Sequence, residues 1–189
     1  MERKAVLKWL KFFSIIFVLL SVVELLDLIL FSTIINLNLD GTPYTVANII
    51  FQSGFMAVHA TLLWVFLLFV ICAFIAISFS IFTIAKKDTI ENHTLAKFLL
   101  LIGLFLIIGG FIKTNFITLL GNSHINTGIT NTTLQNALYN PSITPLFGAI
   151  MWVYFTVVVS CFFVSGLIFG GVGLRWMLLI QEEKKNNQI

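Results

Sequence analysis

Four stretches of this sequence are each long enough and apolar enough to cross a membrane as a helix. A crossing needs about 20 predominantly apolar residues, because an α-helix rises about 1.5 Å per residue. The stretches cover residues 12–35, 61–85, 98–120 and 147–174. Hydrophobic residues make up 59% of the chain and charged residues only 10%, which excludes a water-soluble domain and a disordered chain. The sequence therefore predicts an all-α integral membrane protein, a four-helix bundle in which residues 1–189 form a single polytopic domain.

The distribution of lysine and arginine predicts the orientation of these spans. Loops rich in Lys and Arg stay on the cytoplasmic side during membrane insertion. All but one of the 11 basic residues lie before the first span, between the second and third, or after the fourth. The two segments on the opposite side, residues 36–60 and 121–146, contain neither Lys nor Arg. We therefore expect a multi-pass protein of the cell membrane, with both termini cytoplasmic and these two segments as outer loops.

The tryptophans lie near the ends of the predicted helices. Their amphipathic rings favour the membrane interface, so Trp9 and Trp176 would mark the inner interface. By the same argument Trp64 and Trp152 would mark the outer interface, which agrees with the orientation predicted from the basic residues.

The outer loops carry local structural signals of their own. Residues 40–43, Asp-Gly-Thr-Pro, are typical of a turn. Residues 46–56 are apolar enough to form a short interfacial helix, which we favour, or to extend the second span. In the second loop, residues 132–139 are predicted to form a short helix capped by Asn131 or Thr132. The sequence shows no internal repeat, direct or inverted.

Three charged residues are predicted to lie deep within the membrane. Glu24 and Asp27 are three residues apart in the first span, so they share a helix face with Ser14 and Ser21. A carboxylate at the centre of a span costs about 2.5–3.5 kcal/mol, so these groups should face protein or water. Lys113 lies at a comparable depth in the third span, roughly 21–25 Å from the inner boundary by helical rise. We therefore expect Lys113 to pair with Glu24 or Asp27.

This charge cluster admits three interpretations. One is a proton or cation pathway, in which a carboxylate gains and loses a proton beside the lysine. A second is a structural ion pair that fixes the register between the first and third spans. A third is that one of the acids is reserved for a residue on another subunit.

Small residues predict close helix packing in two of the spans. Gly103 and Gly110 share the helical face of Lys113 in the third span, while Gly166, Gly170 and Gly173 form a stripe on the fourth. Small residues at this spacing allow helix backbones to approach closely. The sequence leaves open whether the fourth-span stripe contacts a helix of the same chain or of a partner.

Two histidines and one sequon are further candidates for sites. His59 at the outer end of the second span and His124 in the second outer loop could meet and bind a metal, but no ligand cluster with metal-binding spacing surrounds them. No metal or other cofactor is therefore expected, and haem or a quinone at His59 is a weaker alternative. Asn131 begins an Asn-Thr-Thr sequon in an outer loop and is a candidate for glycosylation.

Residues 103–113 form a glycine-rich, lysine-ended segment. This segment is superficially similar to a helix of the four-span DoxX/DoxD-like membrane proteins, some of which accompany archaeal respiratory enzymes. In that family the pattern lies in the first span and follows an arginine, whereas here it lies in the third span. The chain is therefore not assigned to that family.

The sequence contains no pattern that specifies a reaction, a cofactor or a transported substrate. We expect a non-catalytic accessory subunit of a larger integral membrane complex, with a respiratory or other oxidoreductase assembly as one candidate. Its partners would be membrane lipids and other integral membrane subunits, and not nucleic acid, because no basic patch with interleaved aromatic residues is present. The alternative is a small homo-oligomeric transporter or channel, coupled to protons or ions, that uses Glu24, Asp27 and Lys113.

Overall fold

A computed structural model describes residues 3–52, 54–87, 90–126 and 131–186 of the chain. In chain order, its elements are α1 (Arg3–Ile34), β1 (Asn36–Leu39), β2 (Thr42–Thr45), α2 (Val46–Phe51), α3 (Val58–Lys86), α4 (Asn92–Gly121), β3 (His124–Asn126), β4 (Asn131–Thr133), α5 (Leu134–Tyr139) and α6 (Leu146–Asn186). The predicted outer loops include residues 53 and 127–130, which lie outside the described residues.

Four helices, α1, α3, α4 and α6, are long and apolar enough to cross a membrane. This confirms the prediction of a helical, multi-pass membrane protein. The helices extend beyond the predicted spans, since α1 begins at Arg3 and α6 continues to Asn186. Hydropathy detects only the apolar part of a helix, whereas the backbone hydrogen bonds continue through charged residues at its ends.

Each of the two predicted outer loops contains an antiparallel β-hairpin that the sequence analysis did not predict. β1 pairs with β2 through a two-residue connection, Asp40-Gly41, in which both residues have positive φ angles of 52° and 79°. Asp-Gly favours such a turn because Gly has no Cβ and Asp tolerates the left-handed region. β3 pairs with β4 in the same register, with His124 opposite Thr133 as Asn36 is opposite Thr45.

A six-residue helix follows each hairpin. The Asn48 N–H donates to Thr45 Oγ1 at 3.2 Å to cap α2, and the Asn136 N–H donates to Thr133 Oγ1 at 3.3 Å to cap α5. The predicted caps Asn131 and Thr132 are therefore wrong, because both residues belong to β4. The first short helix also ends earlier than predicted, at Phe51, where the chain becomes extended at residue 52.

The hairpins and short helices form a direct structural repeat, so the expectation that the chain has no internal repeat is wrong. The two halves are bonded reciprocally: the Asn38 N–H donates to the Ile143 carbonyl at 2.8 Å, and the Asn126 N–H donates to the Phe55 carbonyl at 3.0 Å. Asn126 follows Asn38 along the chain by the same number of residues by which Ile143 follows Phe55. We call this number the repeat offset. The same offset relates the paired strand residues, the two capping threonines and the first residues of α3 and α6.

The repeat escapes detection in the sequence because its two halves share few identical residues. Thr45 and Thr133 correspond, as do Trp64 and Trp152, but many equivalent positions in the helices hold two different apolar residues. Burial requires a hydrophobic residue of suitable volume, so the fold preserves hydrophobicity without preserving identity.

The chain divides into two compact units. The first comprises residues 1–19, 74–111 and 160–189, and the second comprises residues 20–73 and 112–159. Aromatic rings pack in the core of the first unit, where the Phe74 and Phe162 ring centroids are 4.2 Å apart and nearly parallel, and Phe17 lies 5.5 Å from Phe162. We call the second the hairpin unit, because it contains both hairpins.

The core of the hairpin unit is built around Phe31. Its ring lies 6.1 Å from Trp64, 5.9 Å from Trp152 and 6.0 Å from Phe155, measured between centroids. Trp64 and Trp152 are buried within the protein, so packing accounts for their positions near helix ends. Trp176 is also buried, and Trp9 is the exposed member of the four. The prediction that all four tryptophans mark a membrane interface stays a prediction.

The equivalence of the two halves predicts equal effects at the two capping threonines. Thr45→Val and Thr133→Val should each lower the free energy of unfolding by about 1 kcal/mol, because each leaves a helix N–H without its acceptor. Thermal unfolding in detergent micelles, monitored by circular dichroism, measures the stability of both variants. Thr83→Val is the control, since Thr83 is exposed and its hydroxyl only donates to the Phe79 carbonyl. Loss of stability in one variant but not the other would contradict the equivalence.

Candidate functional site in the membrane-spanning helices

The structure brings Lys113 and Glu24 together in the hairpin unit. Lys113 Nζ, on α4, donates a hydrogen bond to Glu24 Oε1, on α1, and both side chains have an exposed fraction of 0%. The two residues are 89 positions apart in the chain. Each lies roughly two to three turns from the end of its helix that leads into a hairpin, so the fixed rise of the α-helix gives them the same depth. The side chains therefore form a buried ion pair between two membrane-spanning helices.

Further polar atoms on α1 lie on the same helix face as this ion pair. Within the described residues, Ser21 Oγ, Glu24 Oε2 and Asp27 Oδ2 are buried and have no hydrogen-bond partner in the protein. Their spacing of three residues places them on successive turns of one face. Buried polar atoms in native proteins are nearly always satisfied, often by an ordered water molecule. The polar face of α1 can therefore form further hydrogen bonds, for example to a water molecule beside the ion pair.

The charges of this cluster do not balance when all three groups are ionised. Glu24 and Asp27 supply two carboxylates, whereas Lys113 supplies one ammonium group. A net charge inside a low-dielectric interior is costly unless hydrogen bonds, water or a counter-charge compensate it. The ion pair compensates the charge of Glu24 and links α1 to α4. Ser14, the remaining member of the predicted stripe, belongs to the other unit, where its hydroxyl donates to the Lys11 carbonyl.

The glycines predicted to mark close packing lie between α4 and α6. A Cβ atom placed on Gly103 would lie 2.6 Å from Gly170 Cα and 2.7 Å from the Gly166 carbonyl oxygen. A Cβ on Gly173 would lie 2.6 Å from the Leu100 backbone nitrogen. The two helix backbones are thus in direct contact, and the fourth-span stripe packs within the chain.

Gly110 lies beside this contact and is less constrained. A Cβ on Gly110 would lie 3.4 Å from the Phe163 ring, which is an ordinary van der Waals distance. Its small size therefore matters less for packing than that of Gly103.

His59 and His124 line the same cavity, of about 610 Å³, in the hairpin unit. His59 Nε2 lies 3.5 Å from Ser123 Oγ, whose hydroxyl also donates to the Leu119 carbonyl. Asn122 and Ser123 line this cavity as well, although sequence analysis did not single them out. Among the described residues, no group of three His, Cys, Asp or Glu is placed to hold a metal ion. Asn131, the glycosylation candidate, is exposed at the start of β4.

Comparisons of this chain with protein-family models, with curated proteins and with solved structures return no match. Function is therefore inferred from the geometry of the chain itself.

The buried ion pair predicts a strong coupling between Lys113 and Glu24. Lys113→Met should lower the free energy of unfolding by about 3–5 kcal/mol, because it leaves a buried carboxylate without its partner. The double variant Lys113→Met/Glu24→Gln should recover most of this loss. Unfolding in detergent micelles, with each single and double variant measured in parallel, gives the coupling energy.

Two controls make this measurement specific. Lys97→Met removes an exposed lysine from the same helix and should change stability little. The double variant Lys113→Met/Asp27→Asn should recover less stability than the Glu24 double variant. Equal recovery by both would show that the lysine does not distinguish between the two acids.

The contact between α4 and α6 predicts that two glycines in membrane-spanning helices respond differently to the same substitution. Gly103→Ala should cost about 2 kcal/mol or more, because the added Cβ would overlap the α6 backbone. Gly171→Ala should change stability by less than about 0.5 kcal/mol, since a Cβ there has nothing within 4 Å. Thermal unfolding of the two variants tests this difference, and equal effects would place the helix contact elsewhere.

Proposed function

We propose that this protein is a non-catalytic accessory subunit of a larger integral membrane complex. We further propose that it lies in the cell membrane with both termini in the cytoplasm, as the distribution of basic residues indicates. Membrane lipids and other integral membrane subunits are its proposed partners. A respiratory or other oxidoreductase assembly is one candidate for the complex.

The observation that carries this proposal is an exposed face of α6. Ser160, Val164, Leu167 and Gly171 recur at spacings of four, three and four residues, so they lie along one side of the helix. All four are exposed, Val164 by 57% and Leu167 by 65%. We call this set the exposed α6 face.

Gly171 distinguishes this face from ordinary lipid-facing surface. Gly103, Gly166 and Gly173 are each accounted for by the contact between α4 and α6, whereas a Cβ on Gly171 would enter open space. Small residues in membrane helices mark positions where another helix approaches closely. A glycine and a serine on an exposed face therefore support contact with a helix of another subunit.

The alternative function is a small homo-oligomeric transporter or channel that is coupled to protons or ions. The polar atoms on α1 favour this alternative, because Ser21 Oγ and Asp27 Oδ2 lack partners within the described residues and lie on the helix face of Glu24, which is paired with Lys113. In such a protein Glu24, Asp27 and Lys113 would line the proton or ion pathway.

Extraction of the protein from its native membrane in a mild detergent, followed by native mass measurement, tests the proposal. A photoreactive residue at Leu167 should form a single adduct with a different membrane protein. The same residue at Phe79, which is 55% exposed on α3, is the matched control and should form no such adduct. Gly171→Leu should reduce recovery of the partner severalfold without lowering thermal stability, because the added side chain would occupy the partner's position.

A homo-oligomer without other subunits would contradict the accessory role and favour the alternative. Adducts from Leu167 to a second copy of the same chain would give the same conclusion. Equal crosslinking from Leu167 and Phe79 would show that the exposed α6 face is not a specific interface.

A further inference from the structure

The cavity that contains His59 and His124 has a polar end and an apolar end. It lies in the hairpin unit, where α3 begins at Val58 and α4 ends at Gly121. Its polar lining consists of His59, Asn122, Ser123 and His124. These side chains are within one residue of a helix or strand end, so the backbone holds their positions. The cavity therefore combines hydrogen-bonding groups at the ends of two spans with an opening along apolar helix surfaces.

The structural repeat provides an internal comparison for this cavity. At the offset that relates the two hairpins, the positions equivalent to His59, Asn122, Ser123 and His124 hold Phe147, Ile34, Ile35 and Asn36. The same backbone hydrogen bond occurs in both halves. In the first half the Val46 N–H donates to the Ile35 carbonyl, and in the second half the Leu134 N–H donates to the Ser123 carbonyl. The same scaffold is thus built with mostly apolar side chains in the other half. The fold does not require the two histidines, the serine and the asparagine.

The chemistry of the lining selects the headgroup that this cavity would bind. Imidazole, hydroxyl and amide groups can all donate hydrogen bonds, and they suit carbonyl acceptors. The residues that line the cavity in the described part of the chain include no Asp, Glu, Lys or Arg. A phosphate-bearing headgroup is recognised through Lys or Arg, so this lining disfavours a phospholipid. An uncharged headgroup with carbonyl oxygens matches the available partners.

The apolar part of the lining selects the rest of the molecule. Phe66 and Phe116 present nearly parallel rings, with centroids 5.5 Å apart and planes 20° apart, and Leu62 and Leu119 continue the apolar surface. A planar ring packs well against an aromatic face, and an isoprenoid chain packs against exposed leucines. The volume of about 610 Å³ lies within the range of known small-molecule sites.

We propose that this cavity binds an isoprenoid quinone. The ring carbonyls accept hydrogen bonds from His59 and His124, and the isoprenoid tail lies along Leu62, Phe66 and Leu119. The site is a binding site only, and it does not depend on the accessory role proposed above.

Titration of the purified full chain with decylubiquinone tests this assignment, with quenching of intrinsic tryptophan fluorescence as the signal. Trp64 follows His59 on α3 by little more than one turn, so a quinone in the cavity should quench it. Saturable binding is expected. The variant His59→Phe/His124→Asn should weaken binding by at least about tenfold, because it removes the donor at position 59 and replaces the His124 imidazole by a shorter amide side chain. It installs the residues that the other half of the protein carries at the same positions, so it should remain folded.

The control variant is Phe147→His, which places an imidazole at the equivalent position of the other half and should leave binding unchanged. A second comparison, His59→Gln against His59→Phe, keeps or removes hydrogen-bonding capacity at one position, and only the Phe variant should weaken binding. Equal quenching in all variants would overturn the proposal, and so would reversal of the quenching by decanol at a concentration similar to that of decylubiquinone. Either result would show that apolar partitioning, and not the histidines, determines binding.

Discussion

The absence of water from the membrane interior is the constraint on which the rest of this structure depends. A backbone N–H or carbonyl group without a partner there costs several kcal/mol, so the four spans are continuous helices that satisfy their own backbone groups. The same constraint applies to Lys113, whose ammonium group is buried against Glu24. In the part of the chain that the structure describes, strands occur in the connections between spans. There the two halves of the chain bond each other, through Asn38 to Ile143 and Asn126 to Phe55.

The ion pair joins the two structural repeats and also breaks their symmetry. Glu24 belongs to the first half of the chain, and the equivalent position in the second half holds Ile112. Lys113 belongs to the second half, and its equivalent in the first half is Leu25. Either half alone would therefore carry an uncompensated charge in the membrane, which is strongly unfavourable. The pairing makes the halves interdependent although their hairpins and helix caps are built alike.

The glycines show how one residue type serves different purposes in one helix. Gly166 and Gly173 are needed because the α4 backbone lies where their side chains would be, whereas Gly171 adjoins open space. The cavity that contains His59 and His124 also shows that equivalent positions can carry different residue types. His59 and Phe147 occupy equivalent positions after equivalent short helices, so the shared fold does not determine which residue stands at this position.

The sequence by itself determined the four spans, because about 20 apolar residues are a local requirement for crossing a membrane. It also determined the matching depth of Glu24 and Lys113, since the helical rise is constant. Only the tertiary structure decided that Lys113 bonds Glu24, that α4 packs on α6, and that the two hairpins form a repeat. These features depend on contacts between residues that are far apart in the chain. Hydropathy and helical spacing predict the depth of a residue in the membrane and the helix face on which it lies. They do not predict which other helix that face contacts.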